Sequence, residues 1–131
     1  LGLLTINGLV AANSVLIPLQ CEFFALEGLS ALTNTIESIK TNFNDKLEIE
    51  GVVLTMHDKR NSLSDLVEND VRGHFGNKVY KTIIPRNVRV SEAPSFGKPV
   101  LIYDSKCKGS KAYIGLAKEF LKQEKKKVVN E

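Results

Sequence analysis

Apolar positions along this chain of 131 residues switch between two periods, and the switches divide it into elements. Leu3, Leu4, Ile6, Val10 and Ala11 share a face at near-helical spacing, which predicts a short helix from Leu3 to Ala12. Ser14-Val-Leu-Ile-Pro-Leu-Gln20 is a continuous apolar run broken by Pro18, the pattern of a buried strand with an irregular end. Helical spacing returns through Leu26, Leu29, Leu32, Ile36, Ile39 and Phe43, and Asn44 with Asp45 ends it. A second strand is predicted from Glu48 to Met56, buried on both faces from Val52 onward, and the polar loop His57-Asp-Lys-Arg-Asn61 follows. Ser62 with Asp65 resembles a loose capping box ahead of a helix marked by Leu63, Leu66, Val67, Val71 and Phe75, with Gly76 as its stop. Val79 to Ile84 reads as a third strand ended by Pro85. Pro94, Gly97 and Pro99 then predict a polar connection that does not return to helix. Val100-Leu-Ile-Tyr103 fits a short edge strand or a packed loop. Ser110 can cap a last helix whose face is Tyr113, Leu116, Ala117, Phe120 and Leu121.

Strand, helix, strand, helix, strand is the alternation of an α/β domain, a mostly parallel sheet with flanking helices, here as one domain over residues 1–131. Right-handed crossovers place all strand ends on one edge, where open α/β sheets bind ligands. Three of the four arginines fall just beyond those ends: Arg60 after the second strand, Arg86 and Arg89 after the third. Guanidinium forks match phosphate oxygens, so the two loops suggest an anion site for nucleotide or nucleic-acid phosphate. Exposed loops also carry charge for solvation alone, and spacing by itself leaves both readings open.

Composition narrows the function classes. A net charge of +3 is too mild to argue for nucleic acid except through its placement. Cys21 and Cys107 are far apart with no C-x-x-C, which predicts two free thiols in a reducing cytoplasm. His57 and His74 have no partner at ligand spacing, so no metal site is expected. The Lys125-Lys126-Lys127 tail reads as a solvated helix end rather than a membrane-surface helix, for want of a bulky apolar face. No apolar run approaches the roughly 18 residues of a membrane span. There is no G-x-x-x-x-G-K-[ST], G-x-S-x-G or H-E-x-x-H, hence no self-sufficient catalytic constellation. The first residues lack the basic region and cleavage site of a signal peptide and lack an initiator Met, so the expectation is a piece cut from something longer or a chain trimmed of a tag.

Five runs carry a resemblance: Leu1-Gly-Leu-Leu-Thr-Ile-Asn7, Val15-Leu-Ile-Pro-Leu-Gln-Cys-Glu22, Ala25-Leu-Glu-Gly-Leu-Ser30, Ile49-Glu-Gly-Val-Val-Leu-Thr-Met56 and Thr82-Ile-Ile-Pro-Arg-Asn-Val-Arg-Val-Ser-Glu-Ala-Pro94. Together they resemble the C-terminal half of the ParA/Soj ATPases, deviant-Walker P-loop proteins that partition bacterial chromosomes and plasmids. The resemblance runs from Leu1 to about Leu121. It implies the C-terminal part of a P-loop NTPase fold of the ParA/MinD-like kind, with the P-loop and the Walker B strand outside this chain. It implies ATP and magnesium as cofactors of the full-length protein, none held tightly by this chain alone, and no hydrolysis by it alone. By matching position, Pro85, Arg86 and Asn87 correspond to the segment around the adenine base, with Thr55 and Met56 nearby. Arg60 and Arg89 correspond to arginines used for sequence-independent DNA binding by an ATP-bound dimer; the plain alternative for Arg89 is a bracing pair with Glu92. His57 and Lys59 depart from the family, which often carries an apolar or aromatic residue and a small one there. The implied partners are DNA, a second copy and a ParB-like partition protein that stimulates hydrolysis, in bacterial cytoplasm at the nucleoid and without a membrane. Two other readings are a fragment of a MinD-like membrane-associated ATPase and an inactive oligomerising remnant.

Overall fold

The computed structural model describes residues 2–131; Leu1, where the first matching run begins, lies outside the described residues. Two strands, β1 (Ser14–Gln20) and β2 (Glu48–Thr55), pair in parallel from Ser14 opposite Glu48 to Gln20 opposite Thr55, with a bulge between Val15 and Leu16. The crossover between them is α2 (Ala25–Asn42). α1 (Leu3–Ala11) precedes β1 and α3 (Ser62–Phe75) follows β2. The later chain forms α4 (Val88–Glu92), α5 (Val100–Tyr103) and the long α6 (Lys108–Val129).

Alternation along β2 sends its side chains to two cores. Val52 and Leu54 join Leu29, Ile36, Leu47 and Val71 on the face covered by α1, α2 and α3. Val53 points the other way, with Tyr80 and Ile84, onto Ala112, Leu116 and Phe120 of α6. Each aliphatic side chain fully buried in these cores contributes about 1.5–3 kcal/mol. The α/β expectation, a parallel sheet with helices on both faces, therefore holds.

Several local expectations do not, each for a visible reason. β1 is an edge strand rather than a buried one: among the described residues its only strand neighbour is β2. Ile17 is buried, whereas Leu16 on the opposite face is 42% exposed. The predicted third strand is an extended segment beside β2, with isolated parallel bridges at Val52 with Val79 and, just past β2, His57 with Pro85; the Tyr80 and Ile84 amides donate to the carbonyls of Val52 and Leu54. Its ladder is interrupted because the amides of Lys81 and Thr82 donate instead to the Glu119 carboxylate on α6, each at 2.8 Å. The connection after Pro85 does return to helix. Pro94 sits in the first turn of the 3-10 segment Ala93–Phe96, where no amide is needed, and Gly97 ends that segment with a left-handed φ of 63°. Val100–Tyr103 is a helical turn, not a strand.

The helix caps also differ from expectation by one to three positions. The N-cap of α3 is Asn61, whose side chain accepts from the Leu63 amide at 3.0 Å, while Ser62 is already helical. The cap of α6 is Cys107; Ser110 is fully buried and donates its hydroxyl to the Asp104 carbonyl at 2.6 Å. Asn44 lies beyond α2 and spends its amide on α1, donating to the carbonyls of Val10 and Ala12 at 3.1 and 2.9 Å. On α6 the packed stripe is Ala112, Leu116 and Phe120, leaving Tyr113 and Leu121 exposed. Lys127 in the basic tail reaches back to Glu50 of β2 at 3.0 Å.

At Gly51 the sheet admits no side chain. A Cβ there would collide with the ring of Tyr80, which is 1% exposed, and lie 3.0 Å from the Lys78 carbonyl. The ring fills the space a residue at 51 would otherwise occupy.

Candidate functional site

The edge beyond the C-terminal end of β2 is built by backbone pairing. The His57 amide donates to the Ile84 carbonyl at 3.2 Å, and the Arg86 amide donates to the His57 carbonyl at 2.9 Å. These bonds hold the loop after β2 against the Pro85 loop, as the parallel topology anticipated. Between β2 and His57 the chain turns through Met56, whose φ of 51° is left-handed. Such a conformation in a residue other than glycine costs about 1–3 kcal/mol and persists where the surroundings over-determine it, typically at functional edges. Here Thr55 is fixed on one side by the Cys21 amide, 3.1 Å from its carbonyl, and His57 on the other.

An open cleft of about 1340 Å³ lies over this edge, lined by seven basic side chains against four carboxylates. Lys59, Arg60, Pro85, Arg86, Asn87 and Arg89 all contribute to its wall. The two basic loops thus meet in one cavity. Thr55 and Met56 do not line the cleft but directly precede His57, which pairs with Pro85, so they stand near the Pro85-Arg86-Asn87 segment. Pro85 offers a ring face. Asn87 is held close to α6, its Oδ1 buried without a hydrogen-bond partner and 3.4 Å from where a Cβ on Gly109 would stand. A Cβ at position 109 would strike the Val90 side chain of α4, which is why the position carries glycine.

The three arginines differ in their partners. Arg60 is 88% exposed and forks onto Asp58, Nε to Oδ1 at 3.2 Å and Nη2 to Oδ2 at 3.3 Å. This contact holds the Asp58 carboxyl below its usual range and raises the guanidinium. Arg89, at the start of α4, pairs with Glu92 at 3.2 Å and with Asp104 at 3.5 Å, so its bracing pair is real. Tyr103 donates to Glu92 at 2.8 Å and its ring stacks on Phe96, which ties α4 to α5. Arg86 makes no ion pair among the described residues.

An acidic corner interrupts this basic cleft, and sequence reasoning missed it. His57, expected to be solvated or structural and without ligand partners, is buried at 6% exposure, and its Nε2 faces Glu68 Oε2 at 3.2 Å and Asp65 Oδ1 at 3.5 Å. Neither contact has hydrogen-bond alignment, so Nε2 is left without a partner. Glu68 is oriented from behind by Arg72, whose Nε donates to Oε1 at 2.9 Å while Nη1 donates to the Tyr80 carbonyl at 3.2 Å. The readable signal was the i, i+3 placement of Asp65 and Glu68, one face of α3; the reversal at Asn61 that swings that face over His57 has no such signature. Nearby, burial and then the Glu68 charge push the Cys21 thiol up to about 11, which keeps it protonated and unreactive at neutral pH. Cys21 and Cys107 are both free thiols. No helix among the described residues is long and apolar enough to cross a membrane.

A protein-family model described as an AAA domain matches residues 1–49. The chain is 63% identical over 125 residues to the chromosome partitioning protein ParA of Caulobacter vibrioides, covering 95% of this chain and 47% of that protein. It is 56% identical over 119 residues to the sporulation initiation inhibitor protein Soj of Bacillus subtilis, covering 91% and 47%. The chain therefore spans about half the length of the curated relatives it matches. Among solved structures, cobyrinic acid a,c-diamide synthase from Mycobacterium smegmatis, with bound ATP analog and magnesium, superposes with a TM-score of 0.72 at 32% identity, over 95% of this chain and 43% of the synthase. The same enzyme with bound ADP and magnesium gives 0.71.

Proposed function

Because this chain belongs to the ParA/Soj family of chromosome-partitioning ATPases, matching about half their length, we propose that its cleft serves a partition ATPase as a base-side nucleotide wall and a DNA-phosphate contact surface. In this reading the chain corresponds to the C-terminal portion of a protein that binds ATP with magnesium and dimerises. That protein binds DNA without sequence preference at the nucleoid, in the cytoplasm, and is stimulated by a ParB-like partner. The observation that carries the proposal is the convergence of Arg60, Arg86 and Arg89 on one cavity at the ligand-binding edge of a parallel sheet.

The residues present fit one end of the nucleotide. Pro85, Arg86 and Asn87 can flank a purine ring, and the superposed synthase holds an adenine nucleotide in the same architecture. Triphosphate and magnesium need a cradle of amides with a lysine and a Ser/Thr hydroxyl, and these 131 residues contain no such motif. No hydrolytic step is therefore assigned to this chain's own side chains.

For DNA, Arg60 and Arg89 present guanidinium groups already turned toward carboxylate oxygens. Exposed ion pairs of this kind are weak and screened by salt, so phosphate oxygens can take the carboxylates' place. Anisotropy of a labelled random-sequence duplex across a salt series tests this. Arg60→Ala and Arg89→Ala should each flatten the log–log salt slope by about 0.9. Lys126→Ala should change it less. Equal losses from all three substitutions would mean plain electrostatics and would remove the assigned roles.

A further inference from the structure

The acidic corner of the cleft has the makings of a metal site. We infer that His57, Asp65 and Glu68 bind a transition-metal dication of the zinc class, which bridges the loop after β2 to the first turns of α3. Their ligand atoms all lie within 4.8 Å of one another. Independently, the His57 ring is more than nine-tenths buried and aims an Nε2 without a hydrogen-bond partner between the two carboxylates.

Geometry and chemistry favour a metal over mere proximity. Zinc–nitrogen and zinc–oxygen bonds of about 2.0–2.1 Å in a tetrahedron set neighbouring ligand atoms roughly 3.3 Å apart. The two distances from Nε2, 3.2 and 3.5 Å, bracket that value. One imidazole with two carboxylates suits zinc, cobalt or nickel; magnesium and calcium favour oxygen alone. Glu68 is presented in the manner of a supported ligand, one oxygen held by Arg72 and the other turned to His57. Two like charges brought to one buried imidazole repel each other, and a dication removes that repulsion. Asp65 is 63% exposed and the corner opens into the cleft, so an entry path exists. A bound ion would also fix the loop that carries Arg60 and raise the positive charge of the cleft. The inference does not depend on the DNA or nucleotide reading.

Zinc chloride titrated into the untagged chain, against a chromogenic chelator, tests it, with Co²⁺ absorption and the thermal midpoint followed in parallel. One ion per chain is expected, with a metal-dependent rise in the midpoint. Loss of a direct ligand should cost no less than loss of an outer-shell partner. Affinity should therefore fall at least about tenfold in His57→Gln, Glu68→Gln and Asp65→Asn. Asp65→Asn is the decisive variant, because an exposed side chain can be changed without endangering the fold. His74→Gln, whose ring Nδ1 lies beside the Asp70 carbonyl on the surface, should leave affinity unchanged. Absence of binding, binding that survives Asp65→Asn, equal competition by Mg²⁺, or a loss in His74→Gln as large as in His57→Gln would each overturn the assignment.

Discussion

Glu119 anchors the extended segment that leads into the Pro85 loop. Its carboxylate accepts three hydrogen bonds at 2.8 Å, from the Lys81 amide, the Thr82 amide and the Thr82 hydroxyl. Hydrogen bonds to a charged group contribute about 1.5–3 kcal/mol each when shielded. Lys81 is exposed, so water can replace its bond, and the half-buried Thr82 pair carries most of the effect. Glu119→Ala should then destabilise the chain by about 2–3 kcal/mol, and Glu119→Gln, which keeps one acceptor oxygen, by about half of that. For a domain of this size, with unfolding entropy near 2.1 cal/mol/K per residue, the alanine variant should melt about 7–11 °C lower. The pH dependence gives a second check. Burial raises the Glu119 carboxyl, but the Thr82 and Lys81 amides and the Thr82 hydroxyl outweigh it, so the net shift is downward. A carboxyl lower in the folded state stabilises fully above its unfolded value, near 4.3, and loses that contribution as pH falls through the folded value. The gap between wild type and Glu119→Gln should thus be constant near neutrality and close in acid. Urea unfolding with unchanged m-value measures it. A Glu119→Ala variant within 0.5 kcal/mol of wild type (about the scatter of ordinary surface substitutions) would refute the reasoning.

Two further outcomes are expected. ATP should bind this chain no more tightly than about millimolar, roughly 4 kcal/mol, through the Pro85 loop alone; micromolar affinity by calorimetry would contradict the fit described above. The free edge of β1, with Leu16 exposed, together with the exposed Leu3 and Leu4 of α1, should drive association, since unpaired strand edges recruit other chains. Light scattering over a concentration series should show oligomers that Leu16→Lys disperses; a monodisperse wild-type monomer at high micromolar concentration would count against it.

Sequence made the architecture legible where long apolar runs have one period. α2, α3 and β2 lie close to where Leu29, Ile36, Val52 and Val71 put them, because burial on that scale overrides local detail. It also placed Arg60 and Arg86 on one edge, since crossover handedness leaves no other arrangement. What it could not read depends on contacts distant in the chain. The third strand was lost to Glu119, 37 residues beyond Thr82, which competes for the amides a ladder would use. The helical turns after Pro85 were obscured because Pro94 suits the first turn of a helix as well as a loop. The acidic corner has no linear signature, because His57 meets Asp65 and Glu68 across a turn and not at ligand spacing along the chain.

The Tyr80 ring seated over Gly51 makes two positions, 29 apart in the chain, into a single steric unit. A methyl added at 51 has nowhere to go while the ring is present, and a smaller residue at 80 leaves a void while 51 remains glycine. Each change alone is penalised, by overpacking in one case and by a cavity in the other. Made together, they compensate. Drift at this point of the sheet should therefore proceed by paired exchange, glycine with a large ring or a larger residue with a small one. A double-mutant cycle on Gly51→Ala and Tyr80→Leu should show coupling of about 1–3 kcal/mol in favour of the pair.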